Sequence, residues 1–267
     1  MIIIQIMHKE VKWAIVTGAS GGIGRELALE ITRRGYHPIL VGRSSESLDA
    51  VALSIQQEFE IEAITLLADL SDESGWRSIK GFIDEHMLEP QVLINNAWVG
   101  IYGNLSDTES EDLSSMIDIN IRATTELTRI FSRDFAEQWC GYILNIASLA
   151  GLAPMPNMAV YGASKAYIVS LSLAMREELK ESNVMISVSC PGPVDTKFLI
   201  KNGFESANWA HDDKNILSPQ DVAKRSIAWL FANEPIILHR KRDIFIAYFF
   251  RIIPTKWSLA LLSRLTK

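Results

Sequence analysis

Strand-length apolar runs alternate with helix-period segments along almost the whole chain. The predicted strands are Lys12–Thr17, His37–Val41, Ile61–Ala68, Gln91–Asn95, Gly141–Ala147, Val184–Ser189 and Asp243–Tyr248. The predicted helices are Ile23–Arg34, Ser47–Phe59, Trp76–His86, Asp107–Glu137, Val160–Lys180, Pro219–Phe231 and Thr255–Thr266. Because most of the strands are continuously apolar, helices must cover both faces of the sheet, as is typical of a parallel sheet. The alternation therefore predicts a doubly wound α/β fold, which binds ligands beyond the carboxyl ends of its strands.

The size and composition fit one domain over residues 1–267. The chain has 267 residues, of which 48% are hydrophobic, so that one large core can form. The two cysteines, Cys140 and Cys190, have neither disulfide-framework nor metal-binding spacing, and we expect both to be buried reduced thiols. The five histidines form no paired ligand motif, so no metal site is predicted.

Charge is distributed unevenly along the chain. The net charge is −6, yet residues 234–267 carry seven basic and two acidic residues, and so form a basic, apolar C-terminal extension. The acidic remainder of the chain disfavours nucleic-acid binding. The N-terminus lacks the basic region and cleavage site of a signal peptide, and no uninterrupted apolar run reaches 18 residues. A cytoplasmic location is therefore expected.

A glycine-rich turn follows the first predicted strand and precedes the first predicted helix. The segment Thr17–Gly24 places Gly18, Gly22 and Gly24 at a spacing that differs from both GxGxxG and the P-loop. Glycines let the backbone approach a phosphate without a Cβ in the way, and the helix N-terminus supplies free N–H groups. The position of this turn between a strand and a helix predicts a dinucleotide pyrophosphate site.

The end of the second predicted strand indicates which dinucleotide is bound. An acidic residue there suits the 2′-hydroxyl of NAD, whereas a basic residue suits the 2′-phosphate of NADP. The chain has Arg43 and Ser44 at this position and no acid. Because a guanidinium pairs well with a phosphate dianion, we expect NADP(H) to be preferred over NAD(H).

Tyr161 and Lys165 are spaced one helical turn apart, thirteen residues after Ser148. A nearby ammonium favours the phenolate and lowers a tyrosine pKa from its usual value of about 10. The tyrosine can then exchange a proton with a substrate oxygen near neutral pH, while the serine holds that oxygen. Taken alone, the pair also fits an ordinary exposed i,i+4 contact on a helix.

The chain resembles the short-chain dehydrogenase/reductase family, roughly from residue 11 to residue 248. Six features agree with the family's motifs in order and spacing. They are Thr17–Gly24 (TGxxxGxG), Asp69-Leu70, Asn95–Ala97 (three positions of NNAG), Asn120, Ser148 with Tyr161 and Lys165 (YxxxK), and Pro191–Thr196. The resemblance implies a Rossmann-type fold and an oxidoreductase that interconverts a carbonyl and an alcohol by hydride transfer.

The resemblance also implies the roles of individual residues. Tyr161 is the proton donor in reduction and the base in oxidation, and Lys165 lowers its pKa and binds the nicotinamide ribose. Ser148 positions the substrate carbonyl, and Asn120 holds a water that links Lys165 to solvent. The expected cofactor contacts are Thr17, Gly18, Ser20, Gly21, Gly22, Ile23, Gly24, Arg43, Ser44, Asp69, Leu70, Asn96, Ala97, Tyr161, Lys165, Pro191, Gly192, Val194 and Thr196.

The chain departs from the family's motif at Trp98, where the family has a glycine. The indole either lines the substrate pocket or turns outward into residues 99–103. The expected pocket residues are apolar: Trp98, Leu149, Met155, Met158 and Phe198. The long irregular segment 196–217 is interpreted as a substrate lid. These residues predict a medium-sized apolar ketone, aldehyde or secondary alcohol as substrate, although methionines and aromatics are also ordinary core residues.

The partners and the function each leave an alternative open. The family often forms homodimers or homotetramers through the two long helices, here Asp107–Glu137 and Val160–Lys180. The predicted helix Thr255–Thr266 fits either packing within the protein or against a second subunit, or peripheral contact with a membrane surface. The alternative to an enzyme is an NADP(H)-binding sensor or regulatory protein without turnover, in which Trp98 blocks the substrate.

Overall fold

The apolar runs of the chain form one parallel sheet in the computed structural model, which describes residues 11–195, 216–254, 256–259 and 262. The strands are β1 (Trp13–Thr17), β2 (His37–Gly42), β3 (Ile64–Leu67), β4 (Pro90–Asn95), β5 (Gly141–Ile146), β6 (Val184–Cys190) and β7 (Ile236–Leu238). Their order is β3-β2-β1-β4-β5-β6-β7, and all neighbouring pairs are parallel. The predicted doubly wound α/β fold is confirmed.

Helices cover both faces of this sheet. They are α1 (Gly22–Arg33), α2 (Ser45–Phe59), α3 (Glu73–Glu85), α4 (Ser110–Ile117), α5 (Thr124–Glu137), α6 (Ala159–Glu178), α7 (Pro219–Phe231) and α8 (Lys241–Ile252). Successive residues of β1 feed two separate cores. Val16 packs with side chains of α1, α2 and α7, whereas Ile15 packs with those of α3 and α5. A strand buried on both faces cannot alternate apolar with polar residues, which explains the continuous apolar runs.

The order of the strands reverses beside β1, and this positions the site. The chain runs from β1 outward to β2 and β3, and then crosses back to place β4 on the other side of β1. A doubly wound sheet opens a crevice at such a switch point, beyond the carboxyl ends of the strands. The turn after β1 and the turn after β4 meet there, because Nδ2 of Asn96 donates to the carbonyls of Thr17 (3.0 Å) and Gly18 (3.2 Å).

The prediction of a last strand at Asp243–Tyr248 is wrong. These residues lie in the helix α8, and the seventh strand is the preceding three-residue run β7. A short apolar run does not by itself distinguish a strand from a packed helix, and a three-residue strand gives almost no periodic signal. Asp243 is fully buried in the first turn of α8, and this burial raises the pKa of its carboxyl above the usual range.

The long helix predicted at Asp107–Glu137 is interrupted. A 3-10 turn at Leu105–Asp107 precedes α4, and a π-helical segment at Asp118–Ala123 separates α4 from α5. Such π segments are rare and occur frequently at functional sites. The third strand is also shorter than the predicted run Ile61–Ala68, since it begins only at Ile64 and ends at Leu67.

Both cysteines are free, and Cys190 is buried as expected, whereas Cys140 is only partly buried because it lies in the turn before β5. Among the helices that the structure describes, none combines the length and apolarity that crossing a membrane requires.

Candidate active site

Ser148 and Tyr161 meet beyond the carboxyl end of β5. Ser148 is the N-cap of a 3-10 turn, Leu149–Gly151, and its hydroxyl accepts from the Ala150 N–H at 3.1 Å. Tyr161 lies in the first turn of α6, and its side chain is hydrogen-bonded to that of Ser148. The structure therefore brings together two hydroxyl groups that were predicted to share one substrate oxygen.

Lys165 lies one turn further along α6 and is almost fully buried, with 2% of its surface exposed. Its Nζ donates to the carbonyl of Ile146 at 3.0 Å. The ammonium also lies 5.0 Å from the ring centroid of Trp98 and 5.8 Å from that of Tyr161. Burial lowers the pKa of Lys165 to about 7, because the charged form loses its hydration.

The acidification of Tyr161 that the sequence predicts is absent from this arrangement. Burial raises the pKa of Tyr161 to about 12, and the hydrogen bond from Ser148 opposes this rise only in part. The tyrosine is 8% exposed, and its ring lies 5.5 Å from the ring of Trp98. Removal of water from the phenol thus outweighs the hydrogen bond from Ser148, and burial also reduces the pKa of the nearby Lys165.

Asn120 lies in the π-helical segment and holds two neighbouring elements together. Its Oδ1 accepts from the Val99 N–H at 2.9 Å, and its Nδ2 donates to the Val99 carbonyl at 2.8 Å and to the Ser164 hydroxyl at 3.1 Å. The side-chain amide therefore ties the loop after β4 to α6, close to Lys165. The role of Asn120 in a water relay stays a prediction. In the structure, its side chain positions the loop after β4 against α6.

A cleft of about 810 Å³ runs along the carboxyl edge of the sheet at the switch point. Thirteen residues predicted from the sequence line it: Gly18, Ser20, Gly21, Gly22, Ile23, Gly24, Arg43, Ser44, Asp69, Leu70, Asn96, Ala97 and Trp98. Thr17 does not line the cleft, because it is 1% exposed and faces the interior. Its Oγ1 instead accepts from the N–H groups of Asn96 (2.9 Å) and Ala97 (3.0 Å), which locks the two turns together.

The glycine turn fits a dinucleotide pyrophosphate. A Cβ at Gly24 would overlap the carbonyl of Gly18, and a Cβ at Gly18 would come within 2.9 Å of Ala97 Cα, so that both positions require glycine. Gly21 lines the cleft, and a Cβ there would meet no atom within 4 Å. Gly21 is also the N-cap of α1 and provides no side-chain cap. The first N–H groups of α1 are therefore open to an anion that approaches the backbone closely.

Two charged residues face the outer end of the cleft. Hydrogen bonds from Ser71 hold the pKa of Asp69 below its usual range, and the positive charge of the exposed Arg43 adds a smaller effect in the same direction. Ser44 has a structural task as well, since its hydroxyl accepts from the Ser47 N–H at 3.3 Å and caps α2. The cleft therefore offers a guanidinium and a serine hydroxyl just beyond β2.

Trp98 turns inward and lines the inner end of the cleft. Its indole contacts both Lys165 and Tyr161, which do not themselves line the cleft among the described residues. The alternative that the ring turns outward is therefore wrong. The indole therefore lies between the lining of the cleft and the side chains of Tyr161 and Lys165.

The predicted substrate residues are only partly brought together. Met155 and Met158 pack with Trp98 and Tyr161, in a cluster that also contains Met116, Ile101, Tyr102 and Val160. Leu149 lies apart from that cluster, beside Gly192, and its N–H donates to the carbonyl of Pro191 at 2.9 Å. Phe198 and Thr196 lie outside the described residues.

The residues on either side of the segment interpreted as a lid are paired with each other. Val194 and Leu217 form a parallel bridge, in which the Asp195 N–H donates to the Leu217 carbonyl at 2.9 Å. Of the segment 196–217, only residues 216 and 217 lie within the described residues. The bridge is beside the cleft, since Asp195 and Pro219 line it.

The sequence did not single out several residues that line the cleft: Glu26, Val41, Gly42, Ser47, Ala68, Val99, Ile119, Asp195 and Pro219. Some are neighbours of predicted residues, so that a wider reading of the motifs would have included Gly42, Ala68 and Val99. Ile119 and Pro219 carry no local signal, because they reach the cleft only through the π-helical segment and the Val194–Leu217 bridge.

Comparison with known proteins agrees with this geometry. The family model for short chain dehydrogenases matches residues 12–205. The chain therefore belongs to the short-chain dehydrogenase family. The family's nucleotide-binding fold is the one seen here.

Individual relatives place the chain within this family. It is 34% identical over 191 residues to a very-long-chain 3-oxoacyl-CoA reductase of Danio rerio, over 70% of this chain and 60% of that protein. It is 32% identical over 182 residues to such a reductase of Laccaria bicolor, over 67% of this chain and 53% of that protein. The chain thus spans less than two thirds of these relatives. A short-chain dehydrogenase from Sphingobium yanoikuyae in complex with NADPH superposes with a TM-score of 0.79 at 25% identity, covering 91% of this chain and 97% of that one.

Proposed function

We propose that this protein is an NADP(H)-dependent oxidoreductase that interconverts a carbonyl and an alcohol on an apolar substrate. The observation that carries the proposal is the group of Ser148, Tyr161 and Lys165, which lies behind Trp98 next to the cleft that the glycine turn lines. When bound, the nicotinamide supplies or accepts the hydride. Tyr161 exchanges a proton with the substrate oxygen, and Ser148 holds that oxygen through its hydroxyl.

The preference for NADP(H) rests on the charge at the outer end of the cleft. Arg43 is exposed in the cleft directly after β2, where a 2′-phosphate of the adenosine ribose would lie. An arginine fork pairs with such a phosphate through two parallel hydrogen bonds. The similar protein from Sphingobium yanoikuyae was solved with NADPH, which supports the same choice.

The apolar surroundings of Tyr161 indicate the kind of substrate. Trp98, Met155 and Met158 pack with the tyrosine, and these side chains favour a medium-sized apolar ketone, aldehyde or secondary alcohol. Two of the relatives are named as very-long-chain 3-oxoacyl-CoA reductases. A 3-oxoacyl thioester therefore belongs among the substrates to be tested.

The test is turnover with NADPH and with NADH on a panel of apolar ketones, aldehydes and 3-oxoacyl thioesters. We expect NADPH to be preferred, and Arg43→Ala to weaken NADPH binding by about ten-fold while leaving NADH binding nearly unchanged. Arg129→Ala is the matched control, because Arg129 is an exposed arginine that pairs only with Glu126 among the described residues. Equal or better use of NADH would refute the cofactor assignment.

The same panel separates an enzyme from a sensor. Fluorescence titration with NADPH measures binding independently of turnover. Binding without turnover on any substrate would overturn the enzymatic proposal and favour the NADP(H)-binding regulatory protein. Because the chain retains the full set of Ser148, Tyr161 and Lys165, we expect turnover.

The assembly and location of the protein are also part of the proposal. We propose a cytoplasmic homodimer or homotetramer built on α5 and α6, the long helices through which the family often assembles. The exposed side of α6 carries small residues around Tyr167, which is 39% exposed. Light scattering of the full-length protein measures the oligomeric state, and a monomer at micromolar concentration would contradict this part.

We also propose that the C-terminal extension makes peripheral contact with a membrane.

A further inference from the structure

Exposed apolar side chains are concentrated near the C-terminus. Of the twelve large hydrophobic residues that are exposed in the described part of the chain, five lie within residues 244–259. They are Ile244, Phe245, Ile252, Trp257 and Leu259, which together are called the C-terminal surface. Three of these side chains are more exposed than buried, at 67% for Phe245, 80% for Ile252 and 74% for Trp257. A concentration of exposed apolar side chains in one segment marks a candidate interaction site.

The opposite side of the same segment is anchored to the body of the protein. Asp243, Ser258 and Leu262 are 0%, 3% and 5% exposed. Asp243 lies beside Arg242, with 3.6 Å between the carboxylate Oδ1 and Nε, and it occupies the first turn of α8. The segment therefore has one side packed on the protein and an exposed side that carries apolar residues.

The charge around the C-terminal surface is basic. Lys241, Arg242 and Lys256 are exposed, whereas Asp243, the only acid after Glu234, is buried. Aromatic side chains flanked by lysine and arginine complement the apolar boundary and the negative headgroups of an anionic membrane. A second copy of the chain would bring the same positive charges against one another, so that charge complementarity disfavours self-association here.

The C-terminal surface lies on the catalytic side of the sheet. The helix α8 begins three residues after the carboxyl end of β7, and β7 pairs with β6 at Cys190 and Leu238. Pro191 follows β6, and its carbonyl accepts from the Ser148 hydroxyl at 3.4 Å. The chain therefore enters the C-terminal surface at the same edge of the sheet that carries the catalytic serine.

We propose that the C-terminal surface docks this protein onto an anionic membrane surface, with α8 and the helical turn at 256–259 lying in the lipid interface. The basic side chains Lys241, Arg242 and Lys256 contact the headgroups, and Phe245 and Trp257 enter the acyl boundary. Docking would let an apolar carbonyl substrate enter the site from the lipid phase, and this part of the proposal rests on the proposed function. Docking itself does not depend on turnover.

The test is flotation of the full-length protein with vesicles of phosphatidylcholine alone and of phosphatidylcholine with roughly a third of phosphatidylglycerol. We expect the protein to float with the anionic vesicles and to stay at the bottom with the neutral ones. Phe245→Ser with Trp257→Ser should reduce the floated fraction by about ten-fold, because apolar burial in the interface is lost. The matched control is Leu67→Ser with Trp139→Ser, since these side chains are 57% and 63% exposed elsewhere.

A second pair of variants tests the charge separately. Lys241→Gln with Lys256→Gln should weaken anionic binding by about ten-fold, whereas Lys180→Gln with Lys224→Gln, which changes two exposed lysines elsewhere, should leave it unchanged. Melting curves establish that each variant is folded. Failure of the protein to float with either vesicle, or equal flotation of the serine pair and its control, would overturn the docking proposal.

Two further readouts distinguish the alternatives. A loss of oligomer in the Phe245→Ser, Trp257→Ser variant by light scattering would assign the surface to a second subunit and overturn membrane docking. Turnover with NADPH on the full substrate panel is measured on the same preparations. Flotation without turnover leaves docking intact and refutes the proposed function, whereas turnover without flotation does the reverse.

Discussion

The two ends of the cleft are built in opposite ways. At the outer end the chain leaves polar groups open, with Arg43 and Asp69 exposed and the first turn of α1 uncapped by any side chain. At the inner end Tyr161 and Lys165 are 8% and 2% exposed and lie against the ring of Trp98. The outer end can bind a charged group that arrives from solvent, whereas the inner end keeps its ionisable side chains out of contact with solvent.

The difference shows how burial controls the ionisation of the catalytic pair. In the closed arrangement, loss of hydration raises the pKa of Tyr161 to about 12 and lowers that of Lys165 to about 7. Both shifts favour the neutral form, as expected when an apolar ring replaces water. A tyrosine with this pKa remains protonated at neutral pH and is therefore ready to donate a proton in reduction.

The largest expected effect removes the chemistry at the inner end only. Tyr161→Phe deletes the hydroxyl that exchanges the proton, so that turnover should fall by about 10³-fold. NADPH binding should change little, because the ring and its contact with Trp98 remain. Turnover and a fluorescence titration on the same sample test this separation. Retention of more than about a tenth of the activity would assign proton transfer to another group.

The second largest expected effect comes from steric overlap in the glycine turn at the outer end of the cleft. Gly24→Ala places a Cβ against the carbonyl of Gly18, and we expect a loss of about 3 kcal/mol in the free energy of unfolding together with weaker NADPH binding. Gly81→Ala is the control within another helix, since a Cβ there meets no atom within 4 Å. The control should be neutral or stabilise the protein by up to about 1 kcal/mol. Denaturant unfolding measures both, and equal stabilities would contradict the proposed close approach.

A smaller effect opens the inner end. Trp98→Gly restores the family's residue and removes the ring that covers Lys165 and Tyr161. The ratio of kcat/KM for a bulky ketone to that for a small one should rise by roughly 30-fold, because pocket volume becomes available near the tyrosine. Trp139→Gly, which alters an exposed tryptophan far from the cleft, is the control. An unchanged ratio would mean that the indole moves out of the pocket when substrate binds.

The smallest effect is on the pH dependence of NADPH binding. Because the pKa of Lys165 is lowered to about 7, its ammonium is present below this pH and is lost as the pH rises through it. If that ammonium binds the nicotinamide ribose, affinity should fall by about ten-fold between pH 6 and pH 8. In Trp98→Gly the lysine regains water, so the fall should move to higher pH. A fluorescence titration across this range measures it, and identical profiles for the two proteins would contradict burial by the indole as the cause.

Much of the fold was predictable because its local signals agree with one another. The continuous apolar strands, the helix segments and the glycine turn all indicated a doubly wound sheet, and the match of motifs identified the family before any geometry was known. The failures occurred where a local signal is weak or ambiguous. The run beginning at Asp243 is apolar enough for a strand, yet only its packing in α8 decided its conformation.

Much of the candidate site was predictable as well, again because local sequence signals agree with one another. Residues in the glycine turn and at the strand ends reach the cleft because the sheet fixes where strands end. Ile119 and Pro219 reach it through the π-helical segment and the Val194–Leu217 bridge, which have no sequence pattern of their own. Thr17 differs from these residues. Its position in the glycine-turn motif predicted a cofactor contact, but its side chain hydrogen-bonds the turn after β1 to the turn after β4.

The sequence by itself determined the class of fold and the family, and it predicted the location of a phosphate-binding turn and the catalytic side chains. These follow from residue types and spacing, which are local properties of the chain. Only the tertiary structure decided the direction in which Trp98 points and the ionisation of Tyr161 and Lys165. A pKa depends on how much water and which charges surround a group, and those surroundings are assembled from β4, β5 and α6, which are far apart in the sequence.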